Sequence, residues 1–114
     1  MTQLKNRYNI SRKETYGLSG TYVIYFVNCN WIYIGSTSNA YSRFCKHISS
    51  LQNNTHHCRL LQIHFNEYGY KALRFKVIEQ NIYEKEDLIK SEKSLISFFD
   101  NSKGRMTYNT NRLV

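Results

Sequence analysis

The stretch Thr21 to Val27 is rich in Tyr, Val and Ile; the polar Asn28-Cys29-Asn30 follows it, and Trp31 to Gly35 is apolar again. Two short runs of β-branched and aromatic residues joined by a tight polar connection predict a β-hairpin. Gly20 punctuates the chain just before it. Successive side chains on a strand face opposite ways, so Thr21 and Tyr22 belong to different faces of the hairpin.

Helical signals follow. The Ser36-Thr37-Ser38-Asn39 cluster offers several caps, and Tyr41, Phe44, Ile48 and Leu51 recur at spacings of three and four, which predicts an amphipathic helix over about 39 to 51. A polar loop leads to a second helix carrying Leu60, Leu61, Ile63, His64 and Phe65 and stopped at Gly69. From Ala72 to Glu79, Leu73, Phe75 and Val77 alternate with Arg74 and Lys76, as in a half-exposed third strand. A last long helix is expected from Glu84 to Asp100, with Glu84, Glu86 and Asp87 in its first turn and Gly104 beyond its end. The order ββααβα predicts an α+β fold: a small, three-stranded, mostly antiparallel sheet flanked by helices. One domain is expected over residues 20–112, preceded by a basic N-terminal arm at residues 1–19 for which no fixed structure is read.

Net charge is +8, and its excess is unevenly placed. Residues 1–78 hold ten Lys and Arg against Glu14 and Glu67, whereas residues 79–114 hold six of each sign. Such a bias favours a polyanionic partner, because binding releases condensed counterions. The longest apolar runs fall far short of the ~20 residues of a membrane span, so no membrane association is expected. Cys29, Cys45 and Cys58 are too few for a disulfide framework and read as free thiols, pointing to a cytoplasmic or other reducing setting and away from secretion. A zinc site drawn from Cys45, His47, His56, His57 and Cys58 lacks CxxC spacing, and Cys45 and His47, two apart on a helix, point in different directions.

One carboxylate sits in an unexpected place. At about 100° per residue, Leu88, Leu95, Ile96 and Phe99 all fall within about 60° of Glu92 on the last helix, so the acid lies in the middle of the apolar stripe. Either it snorkels out or pairs with a core cation, or it is a metal ligand, since a buried carboxylate is costly without compensation. On the first long helix, Arg43 and His47 are neighbours at i, i+4 along the rim of the buried face. They are either a solvated edge or a cationic partner for such a site.

Taken together, Gly20-Thr21-Tyr22, Tyr33-Ile34-Gly35 eleven residues after the first tyrosine, and then Arg43, His47, Glu92 and Asn109 resemble the GIY-YIG nuclease family in order and spacing. The likeness spans about residues 20 to 110. It is strongest to the nuclease domains of phage and intron homing endonucleases, and includes His56 thirteen residues after Arg43, the Phe65-Asn66-Glu67-Tyr68-Gly69 segment and the Tyr108-Asn109 pair. Thr21 replaces the usual apolar residue between Gly20 and Tyr22, a change a strand tolerates.

The resemblance implies a GIY-YIG nuclease fold and a metal-dependent DNA endonuclease of phage or mobile-element type. Tyr22 is implied as general base or water-orienting group, although a phenol needs adjacent positive charge from Arg43, the metal or a protonated His47 to act near pH 7. Arg43 is suited to bidentate contact with phosphate oxygens, and Glu92 to one Mg²⁺ or Mn²⁺. Tyr33 is expected to position water or phosphate, Gly35 to permit a tight exit from its strand, and Gly20, His56 and Asn109 to support the site. Lys46, Arg59, Lys71, Arg74 and Lys76 are expected to contact DNA. Competing readings are a restriction or repair nuclease of the same fold, a non-catalytic nucleic-acid binder that stacks its tyrosines on a strand, and a purely structural domain. Monomer and dimer are both open, as is a catalytic fragment of a longer chain.

Overall fold

The computed structural model describes residues 10–102, 104 and 106–110. Of the segment read as an arm, residues 1–9 lie outside the described residues. Residues 10–19 are packed: Ile10 is buried in the main core, and a one-turn helix, α1 (Arg12–Thr15), is capped by Ser11, whose side chain accepts the Glu14 amide. The Ser19 hydroxyl donates to the Ile82 carbonyl.

The hairpin forms as its composition requires. Strand β1 (Gly20–Phe26) pairs antiparallel with β2 (Trp31–Thr37), with Tyr22 opposite Gly35 and Ile24 opposite Tyr33. Asn28 adopts a left-handed φ of 66° in the connection, a conformation that Asn tolerates better than most residues. Helix α2 (Ala40–Gln52) begins at Asn39, whose side chain accepts the Ser42 amide, and α3 (Arg59–Tyr68) ends at Gly69. A 3₁₀ turn, Tyr70–Ala72, leads into β3 (Leu73–Gln80), which pairs antiparallel with the other side of β1. Helix α4 (Lys85–Asp100) closes the expected order.

The sheet corrects the three-stranded expectation. It has four strands in the order β3-β1-β2-β4, because β4 (Met106–Thr107) adds parallel to β2 opposite Trp31 and Ile32 and makes the sheet mixed. Two residues are too few to show a period, so nothing in the pattern announced this strand. Tyr108 follows it into the core, and its ring packs on Trp31 with centroids 5.4 Å apart.

Two apolar layers cover the sheet. Tyr22, Ile24 and Phe26 face α2 and α3 and pack with Phe44, Leu51 and Leu61, while Val23, Ile32 and Ile34 face Leu95, Ile96 and Phe99 of α4. Thr21 joins the second layer. Fully buried, it reaches the Ser91 hydroxyl at 3.2 Å, and Ser91 donates onward to Glu79. No helix of the described residues is long and apolar enough to cross a membrane.

Between Thr21 and Tyr22 the register with β3 shifts, and the backbone of Gly20 is pressed against that of β3 there. A Cβ on Gly20 would lie 1.9 Å from the Glu79 carbonyl oxygen. Gly20→Ala must therefore move backbone, and urea denaturation should show a loss of about 3 kcal/mol, the upper end for overpacking. Thr21→Val should cost under about 1.5 kcal/mol, because the shape is kept and Ser91 retains Glu79. Equal losses in the two variants would refute the backbone clash.

Candidate active site

Tyr22 is 1 % exposed, and its phenol lies across the backbone of Gly35 on the neighbouring strand. A Cβ on Gly35 would sit 2.3 Å from Tyr22 Oη, so this glycine is present because a tyrosine occupies the space of its side chain. The expected reason, a tight exit from β2, is replaced by this close approach. Phe44 of α2 meets the Tyr22 ring edge-on at 5.4 Å and holds it from the other side.

Helix α2 brings its functional side chains to the same place. His47 Nε2 is 2.7 Å from Tyr22 Oη, and Arg43, one turn earlier, brings its positive charge to bear on the same phenol. His47 is not at the rim as expected. It is 5 % exposed, whereas Arg43 is exposed. The loop after α2 adds His56, whose Nε2 is 2.8 Å from His47 Nδ1, and His57, whose Nε2 is 3.2 Å from Tyr33 Oη. Gln62 of α3 holds this loop: its Oε1 accepts the His56 amide at 3.0 Å and its Nε2 donates to the Leu51 carbonyl at 2.9 Å.

Glu92 arrives from the opposite layer. It is half-buried, and its Oε1 accepts a 2.7 Å hydrogen bond from Ser36 of β2. The apolar stripe around it is thus less sealed than the helical plot suggested, for only Leu88 of α4 is buried. Its negative charge is nonetheless felt at both Tyr22 and Tyr33. Asn109 lies at the sheet edge, where it accepts the Ile34 amide at 2.8 Å and donates to the Ile34 carbonyl at 2.6 Å.

The electrostatics differ from the sequence-based expectation. Burial raises the Tyr22 phenol well above its ordinary range, the neighbouring Tyr33 adds to this, and Arg43 opposes without prevailing. Tyr33 is pushed up to about 12, again mainly by burial. His47 is lowered to about 3 by burial and by His56, and His56 to about 4 by burial and by His57. A protonated His47 therefore does not supply charge to the phenol at neutral pH, and of the cations invoked Arg43 is the one the chain itself provides.

Among the basic residues expected to meet DNA, Lys46, Arg59, Lys71 and Lys76 are exposed. Arg74 is half-buried, and its guanidinium is committed to the Lys71 and Leu73 carbonyls at 2.7 and 2.9 Å, where it clamps the start of β3. Gln62 was not singled out from the sequence, Ser36 was read only as a possible helix cap and His57 only as a member of a zinc set that lacks the spacing. Strand alternation does place Ser36 on the face opposite Gly35, toward the last helix. His57 and Gln62 act through loop geometry, which leaves no periodic signal.

The two buried imidazoles carry a pH signature. Unfolded, each titrates near ~6.5, and folded they titrate at about 3 and about 4, so below pH ~6.5 the unfolded chain binds protons that the folded chain refuses. Stability is lost as pH falls through that window, by at most about 2.7 kcal/mol per pH unit for the pair near pH 5. Urea denaturation at pH 7, 6 and 5 should show this decline. The His47→Asn/His56→Gln double variant should flatten it, and an unchanged slope in that variant would assign the acid sensitivity elsewhere.

Comparison with known proteins identifies the family of the fold. Residues 18–109 match the family model of the GIY-YIG catalytic domain. The solved catalytic domain of the homing endonuclease I-TevI superposes with a TM-score of 0.69 at 26 % identity, covering 78 % of this chain and 96 % of that one. A mutant of the same domain, described as that of an intron endonuclease, gives a TM-score of 0.68 at 26 % identity over 77 % and 90 % of the two chains. A search of curated proteins returns no match. The matched span contains the hairpin, both tyrosines, Arg43, His47, Glu92 and Asn109, and the chain belongs to the GIY-YIG catalytic domain family.

Proposed function

We propose that the chain is an endonuclease that hydrolyses DNA phosphodiester bonds with one divalent ion, Mg²⁺ or Mn²⁺, held by Glu92. The observation that carries this reading is the convergence of a phenol, a guanidinium and a carboxylate at one sheet edge, where Tyr22 senses the charges of both Arg43 and Glu92. The similarity to catalytic domains of a homing or intron endonuclease supports it.

The donor set suits a hard ion. No group of three or more His, Cys, Asp and Glu that could hold a metal occurs among the described residues, so Glu92 would hold an ion without a cage of protein ligands. Mg²⁺ and Mn²⁺ accept a single protein oxygen and complete their shell with water and substrate oxygens; zinc demands more protein ligands. Bound there, the ion supplies positive charge to the phosphate and to the leaving 3′ oxygen. Ser36 fixes the carboxylate's rotamer from β2.

The chain's own groups do the rest. Tyr22, as phenolate, takes the proton of the attacking water as its oxygen bonds to phosphorus, and the 3′ oxygen departs with a proton from solvent. Arg43 offers a planar pair of donors to non-bridging oxygens and lowers the phenol's pKa at the same time. Tyr33, tethered to His57, orients the water or the phosphate. Lys46 and Arg59, on α2 and at the start of α3, extend the positive charge for the DNA backbone, with Lys71 and Lys76 further along. The three cysteines are free thiols, which supports action in a reducing compartment. The same similarity supports a role in phage or mobile-element biology.

Single-turnover cleavage of supercoiled plasmid DNA tests these roles. Glu92→Gln should lower the rate by at least about 10²-fold and leave the unfolding free energy within about 0.5 kcal/mol, because the amide oxygen still accepts from Ser36 at a half-exposed site. Arg43→Lys should also lose about 10²-fold with little change in DNA affinity, since a charge remains but the bidentate hold is gone. Normal cleavage by either variant overturns its assignment.

The pH profile isolates the base. With the Tyr22 pKa raised by burial, the logarithm of the rate should climb with pH at a slope near one and reach no plateau below pH ~10. Tyr22→Phe should abolish both the activity and the slope. A profile that survives in Tyr22→Phe and is already level by pH ~6, as the lowered pKa values of His47 and His56 require, would instead identify an imidazole as the base.

A further inference from the structure

Three imidazoles are stacked beside the two phenols. The His47 and His56 rings lie 5.0 Å apart at 22°, and the His56 and His57 rings 4.6 Å apart at the same angle. Nitrogen by nitrogen, they form a line that starts at a backbone amide. The Cys58 N–H donates to His56 Nδ1 at 3.0 Å, His56 Nε2 is 2.8 Å from His47 Nδ1, and His47 Nε2 is 2.7 Å from Tyr22 Oη.

An amide N–H can only donate, so His56 Nδ1 carries no hydrogen. A neutral imidazole has one N–H, which leaves it on His56 Nε2, facing His47. His47 Nδ1 must then accept, and its own hydrogen lies on Nε2, pointing at the Tyr22 oxygen. Every direction along the line follows from the first.

We infer that His56, fixed by the Cys58 amide, is a positioning residue that locks His47 into its Nε2–H tautomer, making His47 a standing donor to the Tyr22 oxygen and closing it as a proton acceptor. The lock also excludes an imidazolium at His47, because a hydrogen on Nδ1 would meet the hydrogen of His56 Nε2 at 2.8 Å. Burial of both rings, which are 5 % and 6 % exposed, works in the same direction by disfavouring charge. With His47 donating to Tyr22 Oη, the phenol's own hydrogen is directed away from His47. His57 takes no part in the line. It is exposed and bonds to Tyr33.

This inference rests on Tyr22 as the base only for its functional consequence; the tautomers themselves can be read without DNA. In the full chain labelled with ¹⁵N at histidine, long-range ¹H–¹⁵N correlation spectra at neutral pH should show a bare Nδ1 and a protonated Nε2 for both His47 and His56. A hydrogen on His47 Nδ1, or averaging between tautomers, overturns the proposal. His56→Phe keeps a ring in the stack but offers no donor, so His47 should become a tautomer mixture and single-turnover cleavage of supercoiled plasmid with Mg²⁺ should fall about tenfold, with plasmid affinity unchanged. His56→Gln, whose side-chain amide can still donate to Nδ1, should restore much of both. A rate loss in His56→Phe without any change in the His47 nitrogen signals would make His56 merely structural. If the wild-type chain cuts no plasmid while the tautomers are as described, the nuclease reading fails and the lock stands.

Discussion

A tyrosine phenol brought over a glycine is the contact around which this site is organised. Tyr22 reaches the sheet edge only because the strand beside it offers no side chain at position 35, and it stays there because Phe44 closes the opposite side and His47 bonds its oxygen. These contacts come from two elements, so the hairpin register and the docking of α2 must both be correct before the phenol is in place. With Tyr22 opposite Gly35, a one-residue slip in the hairpin would turn Tyr22 to the α4 layer and lose every one of them.

The same burial that orders the phenol works against its ionisation. Tyr22 and Tyr33 are both pushed up, His47 and His56 are pushed down and stay neutral, and the carboxylate sensed by both phenols raises them further. Arg43 opposes this at both phenols. The resting site is therefore biased toward the protonated phenol. Neutralising Glu92 removes one of the charges that hold the phenol protonated, which ties any ion held there to the basicity of Tyr22 without a direct contact between the two.

Much of this was legible in the chain. The hairpin, the two helices after it, the half-exposed third strand and the last helix follow from strong periodicity, and the spacing from Tyr22 to Tyr33 places both phenols on one face. Glu92 stood out because a charge inside an apolar stripe breaks a local rule. The misses share a cause. Strand β4 is too short to have a pattern, His47 looked like a helix-edge cation because burial on a helix depends on what packs there, and the Cys58 amide belongs to the backbone, which sequence does not display. Arg74 looked like a free cation, yet its guanidinium serves nearby carbonyls. Local pattern reports which faces are apolar. It does not report which polar atoms meet across a loop.

The shortness of β4 has a meaning of its own. An exposed strand edge invites pairing, and β2 lies near the edge of this sheet. β4 satisfies it at Trp31 and Ile32, and then the Asn109 side chain, using its carbonyl and its amide together, pairs with both backbone groups of Ile34 as a further strand residue would. The pairing stops there. Past Ile34, at Gly35 and Ser36, no strand covers that side of β2 among the described residues, and this is where the Tyr22 phenol comes over Gly35 and where Ser36 holds Glu92. A β4 extended by regular pairing would run along the backbone that separates the two layers, and the phenol from one face and the carboxylate from the other could no longer share a substrate across it. Asn109 thus satisfies the edge where it must be closed with a side chain that ends, leaving open the part through which the two halves of the site act together.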